Sequence, residues 1–147
     1  MRLNRLRIQN FKSIRDMEIE DIENVLILIG KNNAGKTVVL DALRILDDTY
    51  RIQENDFNLE AGNIEIDVDL QLDGEDLLMF NEAGIVSNYK RYDLWLREFK
   101  NCLPSYDGDT GLLRFQLTVN RNGQRRYGDG VRKHNGYIAQ VIPKFYY

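Results

Sequence analysis

Apolar and polar residues alternate without a break from Ile64 to Leu72. Ile64, Ile66, Val68, Leu70 and Leu72 fall on one side, and Glu65, Asp67, Asp69 and Gln71 on the other. A period of two predicts a half-buried antiparallel strand with its carboxylates facing solvent. The same period returns at Leu113, Phe115, Leu117 and Val119, and Asn122-Gly123 predicts a hairpin into a weaker return strand over about 124–128. At the start of the chain, Leu3, Leu6, Ile8 and Phe11 mark one strand and Met17, Ile19 and Ile22 a second, with a turn near 13–16. Val25-Leu26-Ile27-Leu28-Ile29 is apolar throughout, which suits a third strand covered on both faces.

The period then changes. Val38, Ala42 and Ile45 recur at helical spacing, as do Val39, Leu43 and Leu46. They predict a mostly buried helix over 37–47, broken only by Asp41, Arg44 and Asp47. Glu75 to Ala83 reads as a short helix stopped by Gly84. Tyr92, Trp95, Leu96, Phe99 and Leu103 favour a helix over about 88–102, with a strand through Leu94–Leu96 as the alternative. Residues 48–62 and 104–109 are polar and irregular. Residues 137–147 are apolar and read as extended, a strand with no solvated tail after Tyr147. Domains more often end in a polar segment, so the expectation is a single lobe over 1–147 belonging to a longer protein.

Between the apolar strand and the helix lies Gly30-Lys31-Asn32-Asn33-Ala34-Gly35-Lys36-Thr37, which fits G-x-x-x-x-G-K-[ST]. Gly30 and Gly35 permit backbone conformations closed to other residues, so the loop can curl and aim its N–H groups at phosphate oxygens. Lys36 brings a positive charge to the β- and γ-phosphates, and Thr37 brings a hydroxyl to Mg²⁺. A strand before and a helix after are the context this pattern needs, and the helix aims its positive end at the phosphates.

Composition narrows the partners. The 147 residues carry a formal charge of -3, which is not the footprint of a domain dominated by DNA contacts. Residues 54–82 are acidic, whereas Arg114, Arg121, Arg125, Arg126, Arg132 and Lys133 cluster late in the chain. The hairpin around Arg121, Arg125 and Arg126 is a candidate for DNA phosphates, against the plainer reading of a solvated charge run. The lone Cys102 excludes an internal disulfide and suits a reducing, cytoplasmic setting. No apolar run has the length of a membrane span, and the N-terminus lacks the apolar core of a signal peptide. His134 has no Cys or His companions, so zinc is not expected, and no G-x-S-x-G turn suggests a serine nucleophile. Tyr89, Trp95 and Phe99 read as core or interface, not as a base-stacking platform.

Ile8-Gln9-Asn10-Phe11-Lys12-Ser13-Ile14, followed by Leu28-Ile29 and the glycine loop, resembles the start of an ABC-type ATPase head of the OLD, RecF and SMC branch. The Asn32-Asn33 pair and Leu40-Asp41-Ala42-Leu43 look most like the OLD-type ATP-dependent nucleases. The detailed likeness covers about the first 47 residues. It implies a P-loop α/β lobe with α+β character, in which a mixed sheet wraps the loop's helix and joins an antiparallel β layer over 63–128. It implies ATP and Mg²⁺ as ligands. Gly30, Asn32, Asn33, Ala34, Gly35, Lys36, Thr37 and Val38 would line the phosphates, Thr37 would ligate the metal, and Lys12 would approach the nucleotide. It further implies a second head facing the first as a homodimer, with DNA engaged through downstream domains.

The departures matter as much. Heads of this kind complete their site with a glutamine loop, an S-G-G-type signature and an apolar strand ending in Asp-Glu. The signature and the Asp-Glu strand are missing from these residues. Gln140 stands for the glutamine loop only against the simpler reading of a polar strand residue. Phosphoryl transfer needs positioning, a metal and an oriented water together. The chain is therefore expected to bind nucleotide and to be incomplete for hydrolysis. Two other readings stay open: a non-hydrolysing, nucleotide-dependent interaction module, and, less well supported, a small nucleotide or metabolite kinase.

Overall fold

In a computed structural model the chain is described over residues 1–20, 33–59 and 62–142, with the side chains of 33–36 excepted. The expected strand at 25–29 and the first part of the glycine loop lie outside those residues. Strands β1 (Arg2–Phe11), β2 (Ile14–Glu20), β3 (Ile64–Gln71), β4 (Leu112–Val119) and β5 (Arg125–Gly128) form a five-stranded sheet in the order β2-β1-β3-β4-β5. Every pairing among them is antiparallel. The mixed sheet expected from the family resemblance would need the 25–29 strand. What the described residues supply is the antiparallel layer, with β1 and β2 belonging to it.

One face of the sheet is apolar. Leu6, Ile8, Ile64, Ile66, Val68, Leu70, Leu113, Leu117 and Val119 are all at most 1% exposed. Helix α1 (Asn33–Leu46) contributes Val39, Ala42, Leu43, Ile45 and Leu46 to the same core. It begins four residues before Thr37, inside the glycine-loop motif.

Helix α2 (Gly74–Glu82) starts where the sequence predicts. Asp73 accepts the Asp76 amide and Asp76 returns the bond to the Asp73 amide, closing a capping box. Helix α3 (Tyr92–Cys102) settles the 88–102 ambiguity in favour of a helix. Trp95 stacks on Phe99 with ring centres 5.0 Å apart, and both are wholly buried. Trp95 also donates its indole N–H to the Ile85 carbonyl at 2.8 Å, which satisfies the one polar atom of a core tryptophan. Tyr89 differs from the two core aromatics and is 51% exposed.

Two expectations need correction. Residues 137–142 are not extended, because Ile138–Val141 form a single helical turn, α4. Asn135 initiates it by accepting the Tyr137 amide on Oδ1 and the Ile138 amide on its carbonyl. The spacing of Ile138 and Val141 then buries both. Residues 143–147 lie outside the described part.

The second correction concerns the polar face of β3, which is not simply solvated. Charge is arranged on it by strand. Asp16, Glu18 and Glu20 lie on β2, Arg5 and Arg7 on β1, Glu65, Asp67 and Asp69 on β3, and Arg114 on β4. The antiparallel register sets opposite signs side by side, pairing Arg7 with Asp16, Arg5 with Glu18, and Asp69 with both Arg5 and Arg114. Asp69 is 8% exposed as a result.

Candidate functional site

The turn after β1 carries the first part of the site. Asn10-Phe11-Lys12 is an irregular corner in which Asn10 has φ +61° and Lys12 φ +53°. Neither residue is glycine, so both conformations are held at a cost by the contacts around them. Asn10 is 6% exposed. Its side chain accepts the Leu59 amide at 2.6 Å and donates to the Asn63 carbonyl at 3.2 Å, tying the 58–63 segment to the end of β1. Phe11 is fully buried and meets the Tyr50 ring edge-on. The Lys12 amide donates to the Asp56 carbonyl at 2.6 Å, and its own carbonyl accepts Asn58 at 2.7 Å. Backbone and side-chain bonds therefore fix the corner on both sides.

The Lys12 ammonium lies 2.6 Å from Asp41 Oδ2 on α1, and 5.4 and 5.3 Å from the ring centres of Phe11 and Tyr50. Burial works against the charge, but the Asp41 hydrogen bond and carboxylate outweigh it, so the ammonium titrates above the ordinary lysine range. Tyr50 donates its hydroxyl to Asp56 at 3.0 Å. Burial and that carboxylate together push the phenol up. Asp41 is 6% exposed and also lies 3.5 Å from Arg44 Nη1.

Asp41 follows Thr37 by one helical turn and so shares its face of α1. Lys12 is thereby tied to the helix one turn beyond the motif's threonine. Thr37 is exposed and Val38 half-buried. Asn33, Ala34, Gly35 and Lys36 occupy the first turn of the helix, whose leading N–H groups have no partner within it. Such an end, with its positive dipole, fits a phosphate group. Gly30, Lys31 and Asn32 lie outside the described residues. Neither Asp41 nor Tyr50 was singled out from sequence as a site residue. For Asp41 the signal was present: a carboxylate one turn after the threonine, on a helix that is mostly apolar.

The far end of α1 is clamped by β5. Arg125 donates to the Ile45 carbonyl, and the Tyr127 hydroxyl donates to the Leu46 carbonyl at 3.1 Å. The Ile45 carbonyl also accepts the Asp48 amide at 3.3 Å, and the Leu46 carbonyl is one that a helix C-terminus leaves without an intrahelical partner. Arg125 also lies 3.6 Å from Asp48. Arg121 is likewise engaged, pairing with Glu54 at 2.6 Å and stacking over Phe57 at 4.6 Å. Two of the three arginines of the candidate hairpin therefore point into the protein. Gln140 accepts the Val86 amide at 2.9 Å and sits on a helical turn, not a strand. Among the described residues no group of three or more His, Cys, Asp or Glu could hold a metal ion.

The sequence profile of the AAA ATPase domain matches residues 1–110, which takes in the corner, α1, and the sheet as far as the turn before β4. The chain belongs to the AAA ATPase domain family. A 40-residue stretch is also 40% identical to an uncharacterized protein of Methanocaldococcus jannaschii, covering 27% of this chain and 18% of that protein. Membership supports ATP binding as the function of this ATPase domain, and ATP with Mg²⁺ as the general chemistry of its site. Among the described residues no helix is long and apolar enough to cross a membrane.

Proposed function

We propose that this ATPase domain binds Mg-ATP through Gly30–Val38, in the manner of the OLD, RecF and SMC branch. Backbone amides at the start of α1 would cradle the phosphates. Lys36 would neutralise phosphate charge, Thr37 would supply a hydroxyl to Mg²⁺, and Lys12 would set the position of the helix or meet the nucleotide directly. The observation that carries the reading is the start of α1 at Asn33, within the motif, which puts the amides of Gly35, Lys36 and Thr37 in its opening turns.

No carboxylate among the described residues takes the place of the Asp-Glu pair that orients water. Two carboxylates of β3 are engaged, Asp69 by Arg5 and Arg114, and Asp67 by Gln116. Hydrolysis is therefore assigned to a fuller assembly, with residues outside this chain and a second head in a homodimer. The cellular role would be DNA processing, repair or phage defence, with any nuclease chemistry in a domain beyond this one.

Isothermal titration with Mg-ATP tests the nucleotide reading. Lys36→Ala should weaken binding at least tenfold, about 1.4 kcal/mol. Equal affinity in the two proteins would remove the proposal.

A further inference from the structure

The charge pairing across the outer sheet face runs out at β5. Arg5, Arg7 and Arg114 each have a carboxylate partner there. Arg126 on β5 and Lys133 in the loop beyond it have none among the described residues, and both are exposed. They line one hollow of about 870 Å³ with Arg125, Thr118, Gln124, Asn63 and His134. Among the described residues no carboxylate lines it. The neighbouring groove on the same face shares Thr118, Arg126 and Lys133 but also contains Asp67, Asp69 and Asp129. Among the described residues Arg126 and Lys133 are thus cations without an ion-pair partner, on the rim that the two hollows share.

The hollow is well placed to be kept clear of the nucleotide end of the domain. Arg126 pairs with Thr118 across the sheet, whereas its neighbours Arg125 and Tyr127 face the other way and hold α1. Alternation along β5 therefore turns Arg126 outward, while Arg125 borders the hollow with its guanidinium held by Ile45 and Asp48 at the end of α1.

We propose that this hollow docks the phosphodiester backbone of a nucleic acid. Arg126 and Lys133 supply the charge, while Thr118, Asn63 and Gln124 supply neutral donors to phosphate or sugar. The hollow is many times larger than one phosphate, and its cations come from two chain segments, which suits a strand laid across it. Tyr127, the aromatic residue of β5, is buried on the opposite face, which leaves the His134 imidazole as the ring lining the hollow among the described residues. Contact by charge and neutral donors to phosphate and sugar carries no sequence information, and binding would be sequence-independent. The inference deepens the nucleic-acid side of the proposed function and does not rest on its nucleotide side.

The test is fluorescence anisotropy with a labelled mixed-sequence 20-mer, single-stranded and duplex, over a series of salt concentrations. Arg126→Gln/Lys133→Gln should lose about tenfold in affinity at low salt, and its log–log salt slope should shrink by about two. Arg126→Lys/Lys133→Arg should retain binding and report on folding. Lys90→Gln/Arg91→Gln removes the same charge from the loop before α3 and should stay within about twofold of wild type. The proposal is overturned if wild type ignores both oligonucleotides at low salt, or if the Lys90/Arg91 variant loses as much. It is also overturned if polyglutamate competes as well as the oligonucleotide, since the surface would then be an acidic-protein site. A chain that binds Mg-ATP but no oligonucleotide would sink this inference alone.

Discussion

Lys12 Nζ lies 2.6 Å from Asp41 Oδ2, joining the first hairpin to the helix that begins in the glycine loop. The carboxylate side chain is 9% exposed and the ammonium side chain 30%. Removing either partner leaves the other partly desolvated, which costs more than the pair itself contributes. Lys12→Met and Asp41→Asn should each destabilise the domain by about 1–3 kcal/mol in urea unfolding. The double variant should recover part of the sum, giving a coupling of about 1 kcal/mol. Additive effects would mean that the contact does not bind hairpin to helix.

The pair also has a pH signature. The Lys12 pKa is raised on folding, so its contribution is present in full below the ordinary lysine range and fades as pH rises through the folded value. Wild type should therefore lose stability above about pH 10 more steeply than Lys12→Met. Coincident slopes in chemical unfolding between pH 8 and 11 would contradict this.

The C-terminal clamp on α1 makes a separate prediction. Tyr127→Phe removes a single hydroxyl from the Leu46 carbonyl and should cost about 1 kcal/mol. Arg125→Ala removes the donor to Ile45 together with the Asp48 ion pair and should cost more, about 2 kcal/mol. Amide hydrogen exchange should show the loss in the last turn of α1 before the sheet opens. Uniform loss of protection throughout the sheet would argue against a local clamp.

Much of this architecture was legible in the sequence because it rests on period and turn chemistry. Ile64–Gln71 and Leu112–Val119 are strands because one face alternates into the core, and α1 is a helix because its apolar residues recur every three or four positions. What alternation does not report is which neighbours a polar face acquires. Asp69 looked solvent-facing, yet it is buried by Arg5 and Arg114, which arrive from strands distant in sequence. Arg121, Arg125 and Arg126 looked alike as a charge run. Strand alternation and an aromatic ring at Phe57 sort them, so that only Arg126 faces outward. The extended reading of 137–142 failed because a local cap at Asn135 outweighs an apolar composition that suits either state. The site followed the same rule. The glycine-loop motif is local and visible, whereas the Lys12–Asp41 tie depends on a fold that brings together residues 29 apart.

Asp129 should make the domain sensitive to acid. It is 8% exposed and accepts the amides of Val131 and Arg132 at 2.9 and 2.7 Å and the Asn135 side chain at 3.0 Å. Burial opposes its ionisation, but these donors outweigh it and hold the carboxyl below the ordinary aspartate range. With the folded pKa lowered, the stabilisation is present above about pH 4 and is lost as pH falls through the folded value. Asp129→Asn should be less stable at pH 7 by about 1–3 kcal/mol and should lose less on going from pH 5 to pH 3. A difference between the two proteins that does not change with pH would show that Asp129 is not ionised in the fold.

Two glycines offer a comparison in which backbone conformation is nearly constant and space is not. Gly123 has φ +80° and Gly111 φ +74°. At Gly123 the Asn120 carbonyl accepts the Gly123 amide at 2.9 Å, and Asn120 Oδ1 accepts the amides of Asn122 and Gln124. This is a turn followed by a left-handed glycine, in place of the two-residue loop that Asn-Gly alone suggests. A Cβ at Gly123 would meet nothing within 4 Å. A Cβ at Gly111 would lie 2.5 Å from the Leu72 carbonyl oxygen, on backbone held by the Leu72 amide bond to the Gly111 carbonyl. Gly123→Ala should therefore cost only the left-handed conformation, about 1–2 kcal/mol. Gly111→Ala bears that cost and a backbone clash as well, and should exceed it by about 1–3 kcal/mol. Thermal or urea unfolding of the two variants side by side measures the difference. Equal destabilisation would show that the chain at Leu72 and Gly111 can part without penalty, and that the turn before β4 is not the tight approach described above.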